Sequence, residues 1–317
     1  MAERPGRSCP LAYRYGAASL AGPASLAVDT LWIAGGLYGN PEALETLFEL
    51  YDREPGDKAL VFNGDFHWFD IAPEDFSHVN ENVLGHFATR GNVETELAFP
   101  SPGIGCGCGY PDWVGDAEVE RSNRIIERLR ATALQSPDAL RQFAALPMHR
   151  VAEVGGERVA IVHGDAESLA GWGLSQETLS TDAGVEAAQD AFATARARVF
   201  ASSHTCLPVL QSLGEERVIV NNGAAGMPNF AGDRFGLATR ISVRPGAGAL
   251  YGTRVAGLHV EAQPVRYDHV AWCARFLGCW PEGSDAHASY FARILNGPGY
   301  SVAAALRLDR TVAGQVA

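Results

Sequence analysis

Apolar residues along the chain fall into two kinds of stretch. The first is a short run of four to six residues, rich in Val, Ile, Leu and Phe. Each run is cut off sharply by Gly, Asn, Asp, Ser or His. Such runs lie at 30–34, 59–62, 158–162, 198–201 and 217–220, with a weaker one at 85–89. Continuous rather than alternating hydrophobicity predicts strands covered on both faces. The second kind has a period near 3.6. Residues 41–51 set Ala43, Leu44, Leu47 and Phe48 on one face behind Pro41. A proline is tolerated there because first-turn N–H groups lack a helical partner in any case. Residues 116–134, 137–146 and 183–197 predict three more helices. Strands alternating with helices predict the α/β class. Beyond Ala238 the texture turns β-like, at 237–243 and 250–260, and a helix-rich tail follows from Asp268.

Composition narrows this picture only slightly. A chain of 317 residues makes one large domain or two small ones, at about 100–200 residues per domain. With 47% hydrophobic residues there is enough apolar surface for a packed core. Lys plus Arg is 25 and Asp plus Glu is 37, a formal charge of 25 − 37 = −12. That sign repels phosphate backbones, so no nucleic-acid partner is expected. A small anion is compatible with it where a local cation outweighs the field. No apolar run reaches the roughly 18–20 residues of a membrane span, and no apolar segment follows Arg4, Arg7 and Arg14. Neither a membrane partner nor a signal peptide is therefore expected. Six scattered cysteines, at 9, 106, 108, 206, 273 and 279, form no disulfide framework and fit a reduced cytoplasmic setting.

In open α/β sheets, ligands collect beyond the carboxyl ends of the strands. Asp65, Asn92, His163 and His204 each stand just past a separate apolar run, beside Gly, Ser or Thr. One carboxylate, one amide oxygen and two imidazoles suit one first-row divalent ion, Fe, Mn or Zn. Singly, each is more simply a turn residue or a satisfied histidine. Four together predict a shared site. The Cys106-Gly-Cys108 pair lies in a stretch with Gly at 103, 105, 107 and 109. It is open as a redox pair, as a pocket lining or as a plain flexible loop. Cys273 and Cys279, beside Trp272 and Trp280, read as buried thiols.

The order and spacing of these residues resemble the calcineurin-like metallophosphoesterases. Gly64-Asp65 with Asp70, Gly91-Asn92-Val93-Glu94, His163-Gly164 and Ser203-His204-Thr205-Cys206 look like four of that family's blocks. Asn221-Asn222-Gly223-Ala224-Ala225-Gly226 with Pro228 resembles its closing segment. The resemblance spans roughly residues 28–243. It implies a four-layer αββα sandwich of two mixed sheets flanked by helices. It divides the chain into an N-terminal segment 1–27, a core 28–243 and a β/helical C-terminal extension 244–317 that packs on the core.

Family members usually hold two metals about 3.5–4 Å apart. In the first block the family's Asp and His stand here as Gly36 and Tyr38. The last His of the fifth block stands here as Cys206. The resemblance thus implies that the ligands of one metal are gone together. Those of the other, Asp65, Asn92, His163 and His204, are kept. Tyr38 and Cys206 are expected to fill the vacated side, or to line it for substrate.

The leading expectation is a metal-dependent hydrolase of a small phosphomonoester or phosphodiester with a mononuclear site. In it the metal activates water and polarises a phosphoryl oxygen, and Arg90 or His67 assists the charge or the leaving group. His67 is equally readable as a loop residue packed by Trp68. Asp70 and Asp165 are each readable as a carboxylate orienting a ligand or as a cap. The same donors suit a mononuclear non-haem iron enzyme of redox or lyase chemistry. A non-catalytic binding protein is the third reading. The tail, with Trp272, Phe276, Trp280, Tyr290 and Phe291, is expected to pack on the core, cap the site or form a homo-oligomer contact.

Overall fold

The computed structural model describes residues 4–308. Its strands are β1 (Leu26–Val28), β2 (Thr30–Ala34), β3 (Lys58–Asn63), β4 (Phe87–Thr89), β5 (His149–Val154), β6 (Glu157–Val162) and β7 (Val199–Ser202). They continue as β8 (Val209–Ser212), β9 (Val218–Asn221), β10 (Gly236–Ser242), β11 (Tyr251–Val255), β12 (Leu258–Val265) and β13 (Leu306–Arg307). The helices are α1 (Pro41–Asp52), α2 (Pro73–Val83), α3 (Asn92–Ala98), α4 (Asp116–Ala133), α5 (Pro137–Ala145), α6 (Asp182–Ala195), α7 (His269–Cys279), α8 (Ala292–Asn296) and α9 (Val302–Ala305). Asn40 caps α1 through a bond from the Ala43 N–H to its side-chain oxygen, with Pro41 in the first turn.

Two mixed sheets stack face to face. One runs β11-β12-β10-β2-β3-β4, the other β1-β5-β6-β7-β9-β8-β13. The continuous apolar runs are explained by what each strand faces. In β3, Ala59 and Val61 point between the sheets, and Leu60 and Phe62 point outward to the helices. In β6, Val159 and Ile161 face the sister sheet, and Ala160 and Val162 face α6 through Phe192. The four layers expected from the resemblance are present.

The terminal segments do more than pack on a core. Strand β1 pairs with β5, β12 continues the first sheet beside β10, and β13 edges the second beside β8. Boundaries near 28 and 243 therefore cut through sheets rather than between bodies. No helix among the described residues is long and apolar enough to cross a membrane.

Register sets up the site. Ala34 of β2 lies opposite Phe62 of β3, so the two strands end together. The turns beyond them are stapled by Gly36 N–H to the Gly64 carbonyl at 3.1 Å. Ile161 of β6 lies opposite Ala201 of β7, and the N–H groups of Ser203 and His204 both donate to the His163 carbonyl. The Ala225 and Gly226 N–H groups bond the Gly35 and Gly36 carbonyls, tying the closing segment to the first turn.

Candidate metal centre

Asp65 and Asn92 come from the ends of β3 and β4 in one sheet, His163 and His204 from the ends of β6 and β7 in the other. All four are almost fully buried. His163 Nε2 lies 3.2 Å from Asp65 Oδ2, 3.3 Å from Asn92 Oδ1 and 3.2 Å from His204 Nδ1. Metal–ligand bonds of about 2.0–2.1 Å at tetrahedral angles put donor atoms roughly 3.3–3.4 Å apart. The spacing therefore suits one first-row ion.

Neighbouring groups fix which atoms face inward. His163 Nδ1 is 2.8 Å from the Asn63 carbonyl and His204 Nε2 is 2.9 Å from the Cys108 carbonyl. A carbonyl only accepts, so these nitrogens carry the protons and the other two present lone pairs. Asn92 Nδ2 donates to the Cys106 carbonyl at 3.0 Å, which turns Oδ1 inward. Four acceptors thus aim at one point with no donor of their own among them. Such a cluster repels itself unless a cation or a proton fills it. The residues present fit a divalent ion, and the outer carbonyls hold its ligands as they do in metal sites generally.

The Gly/Cys loop therefore has a definite task. Gly103, Gly105, Gly107 and Gly109 all have positive φ, and the loop carries the Cys106 and Cys108 carbonyls onto Asn92 and His204.

Titration follows from the same contacts. Burial opposes the charged form of Asp65, but the two rings beside it hold its carboxyl below the usual value. Burial depresses His163, yet Asp65 outweighs this and lifts the imidazole above its ordinary pKa. Burial, then the His163 charge, pushes His204 down to about 4. Between those two imidazole values a metal must displace one proton, from His163. Metal affinity should then fall about tenfold per pH unit as pH drops through that window. Competition titration with a chelator at several pH values checks this, and a pH-independent affinity would contradict it.

Glu94 holds the cradle together. Its buried carboxylate accepts the N–H groups of Gly91 (2.8 Å), Asp65 (2.9 Å), Phe66 (3.1 Å) and His67 (3.4 Å). Asp65 itself has φ +50°, and Tyr38 and Cys206 have +57° and +60°, uncommon for residues with side chains. Gly91 sits so close that a Cβ there would strike the Asp65 carboxylate.

Next to Gly36, the Tyr38 hydroxyl lies 2.7 Å from Cys206 Sγ. A Cβ on Gly36 would come within 2.9–3.1 Å of the Tyr38 ring and hydroxyl. The ring thus covers the space that a side chain at 36 would need. Among the described residues, one group of three or more carboxylate, imidazole or thiol side chains comes together, Asp65, His163 and His204.

Beside the donors opens a cavity of about 420 Å³. Tyr38, Asp65, Asn92, His204, Cys206 and Arg293 are among its lining. Tyr110, Trp113, Trp172 and Tyr290 line an aromatic wall, with Trp172 5.5 Å from the His204 ring and 6.2 Å from Trp113.

Two expected residues lie elsewhere. His67 bonds Asp70 at 2.5 Å and stacks on Phe76 at 4.1 Å, wholly buried and outside the cavity lining. The apolar packing that makes it a core histidine also denies it reach to a leaving group. Arg90 donates to the Ala144 and Leu146 carbonyls, both at 3.1 Å, and lies over Phe99. It braces the end of α5 and does not line the cavity. Asp70 takes the Trp68 N–H, and Asp165 takes those of Glu167, Ser168 and Gly173, so both organise loops. Glu94 stood in a block with no role read for it, although a carboxylate three residues past a strand-end Gly signals an N-terminal box. Of the aromatic wall only Tyr290 was singled out in the sequence, and Arg293 carried no signal there.

Neither a protein-family model nor a curated protein matches the sequence. Solved structures do. A metallophosphoesterase from Sphaerobacter thermophilus aligns with TM-score 0.54 at 18% identity, over 86% of this chain and 100% of that one. A hypothetical protein from Pyrococcus horikoshii OT3 aligns with TM-score 0.55 at 15% identity, over 86% and 100%. At such identities the likeness shows the fold. This chain is folded as the calcineurin-like metallophosphoesterases are.

Proposed function

We propose that the protein is a metal-dependent hydrolase of a small phosphomonoester or phosphodiester, working through a single divalent ion. The observation that carries the reading is the inward convergence of Asp65, Asn92, His163 and His204 at the end of a cavity. A first-row ion bound there would supply Lewis acidity to a phosphoryl oxygen and lower the pKa of a water, to about 7 for zinc. His163 stands behind the other three donors and anchors them, while Asp65, Asn92 and His204 reach the cavity. The fold, shared with a protein described as a metallophosphoesterase, supports phosphoryl chemistry. The aromatic wall favours a flat or apolar organic group on the phosphate. A second reading, mononuclear non-haem iron chemistry, draws on the same two-histidine, one-carboxylate set and on the adjacent Tyr38–Cys206 contact.

One assay series separates them. Protein loaded with Zn, Mn or Fe(II) is expected to hydrolyse a generic aryl phosphate, and His204→Ala to lower turnover by at least about 100-fold. A coloured, oxygen-sensitive iron protein inert towards aryl phosphates would favour the second reading. Protein that binds no metal would make it a binding protein.

A further inference from the structure

The cavity holds one permanent cation among its lining residues, Arg293. It comes from α8, in the C-terminal stretch beyond the catalytic-looking blocks. Its guanidinium is pinned from behind. Nη2 donates to the Cys206 carbonyl at 2.7 Å and Nε to the Pro228 carbonyl at 3.1 Å. Both acceptors are backbone groups of loops that build the site. Two carbonyls orient the group without neutralising it. Among the described residues no carboxylate pairs with Arg293, and Nη1 has no hydrogen-bond partner.

Arg293 is partly buried and unpaired, and shares the cavity lining with Glu118 and Glu177, neither of which bonds it. The protein carries −12 overall, so a positive point here runs against its mean field. Asp65, His204 and Arg293 all line this one cavity.

We propose that Arg293 is a second cationic contact for the substrate's oxyanion, gripping it from the Tyr38–Cys206 side while the metal-ligand cluster faces it from the other. The inference rests on the phosphoesterase reading and names the residue that fixes the charged end of the ligand. The planar fork offers Nη1 to one oxyanion oxygen, which a lysine ammonium in the same place would match only as a point charge. The tail of the chain thereby becomes part of the binding site rather than a cover over it.

Inorganic phosphate is the probe, titrated calorimetrically into metal-loaded and chelator-treated protein. Arg293→Met is expected to weaken phosphate binding by about 10–100-fold, to weaken it in the metal-free protein too, and to leave metal content unchanged. Arg293→Lys should recover part of the loss, and it serves as the readout if the Met variant does not fold. In kinetics the change should appear as a raised KM. Phosphate affinity equal to wild type in both variants, with metal still bound, would overturn the role of Arg293 alone. Metal-loaded wild type that takes up no phosphate would overturn the phosphoesterase reading with it.

Discussion

Asp65→Asn should strip the protein of its metal while leaving its fold intact. The substitution keeps the shape of the side chain, and Oδ1 can still accept the Val93 N–H at 3.1 Å. It removes the one anionic donor of the set and, with Oδ1 held by Val93, puts an amide NH2 where Oδ2 faced His163. A divalent ion would then have no formal negative charge in contact with it. The loss should exceed the roughly 10–100-fold that follows from deleting an outer hydrogen-bond partner. The histidine pair responds as well. His163 owes its raised pKa to Asp65, which outweighs the burial opposing it. Without that charge His163 should titrate below its wild-type value. Metal analysis after dialysis, thermal unfolding and NMR titration of the imidazoles check the three parts. An Asp65→Asn protein that keeps its full metal complement would show that the ion, if present, sits elsewhere.

Glu94→Ala should cost more stability than any ligand change. Four backbone N–H groups, on Gly91, Asp65, Phe66 and His67, converge on its carboxylate. Alanine leaves all four buried without an acceptor, each worth about 1–3 kcal/mol in the worst case. Water entering the space would recover part of this, so a net loss of about 3–5 kcal/mol is expected. For a chain of this size that lowers Tm by roughly 5–8 °C. The change also frees Asp65 from its left-handed backbone position, φ +50°, which intrinsic preference does not support. Metal affinity should fall about 10–100-fold as a consequence. Differential scanning calorimetry and metal titration are the measurements, with exposed Glu127→Ala on α4 as the control. A Tm within about 2 °C of the parent would contradict the account of Glu94 as the clamp of the cradle.

The strands were legible because burial on both faces writes itself into consecutive residues. Runs at 59–62 and 158–162 became β3 and β6 almost unchanged. Strand β5 was not, because His149, Arg150 and Glu153 break its apolar run. These residues are only partly buried in a strand near the sheet edge. The four side chains that come together were readable from their places at strand ends. Their geometry was not, since it depends on two sheets ending at one level. His67 and Arg90 show the opposite limit. Chemistry-bearing residues near a motif look alike in sequence whether they face a cavity or a core. Phe76 and Phe143, which enclose His67, come from α2 and α5. Arg293 lies on a short helix far along the chain. Only the packing of the tail brings it to the site.

The central claim is that Asp65, Asn92, His163 and His204 hold one ion while Tyr38 and Cys206 have closed the neighbouring position. The direct measurement is a metal-soaked crystal structure with anomalous scattering recorded at the absorption edge. The account predicts a single anomalous peak within bonding distance of all four donors, and none against the Tyr38 hydroxyl or Cys206 Sγ. A second peak on the Tyr38–Cys206 side, or no peak among the four donors, would contradict it.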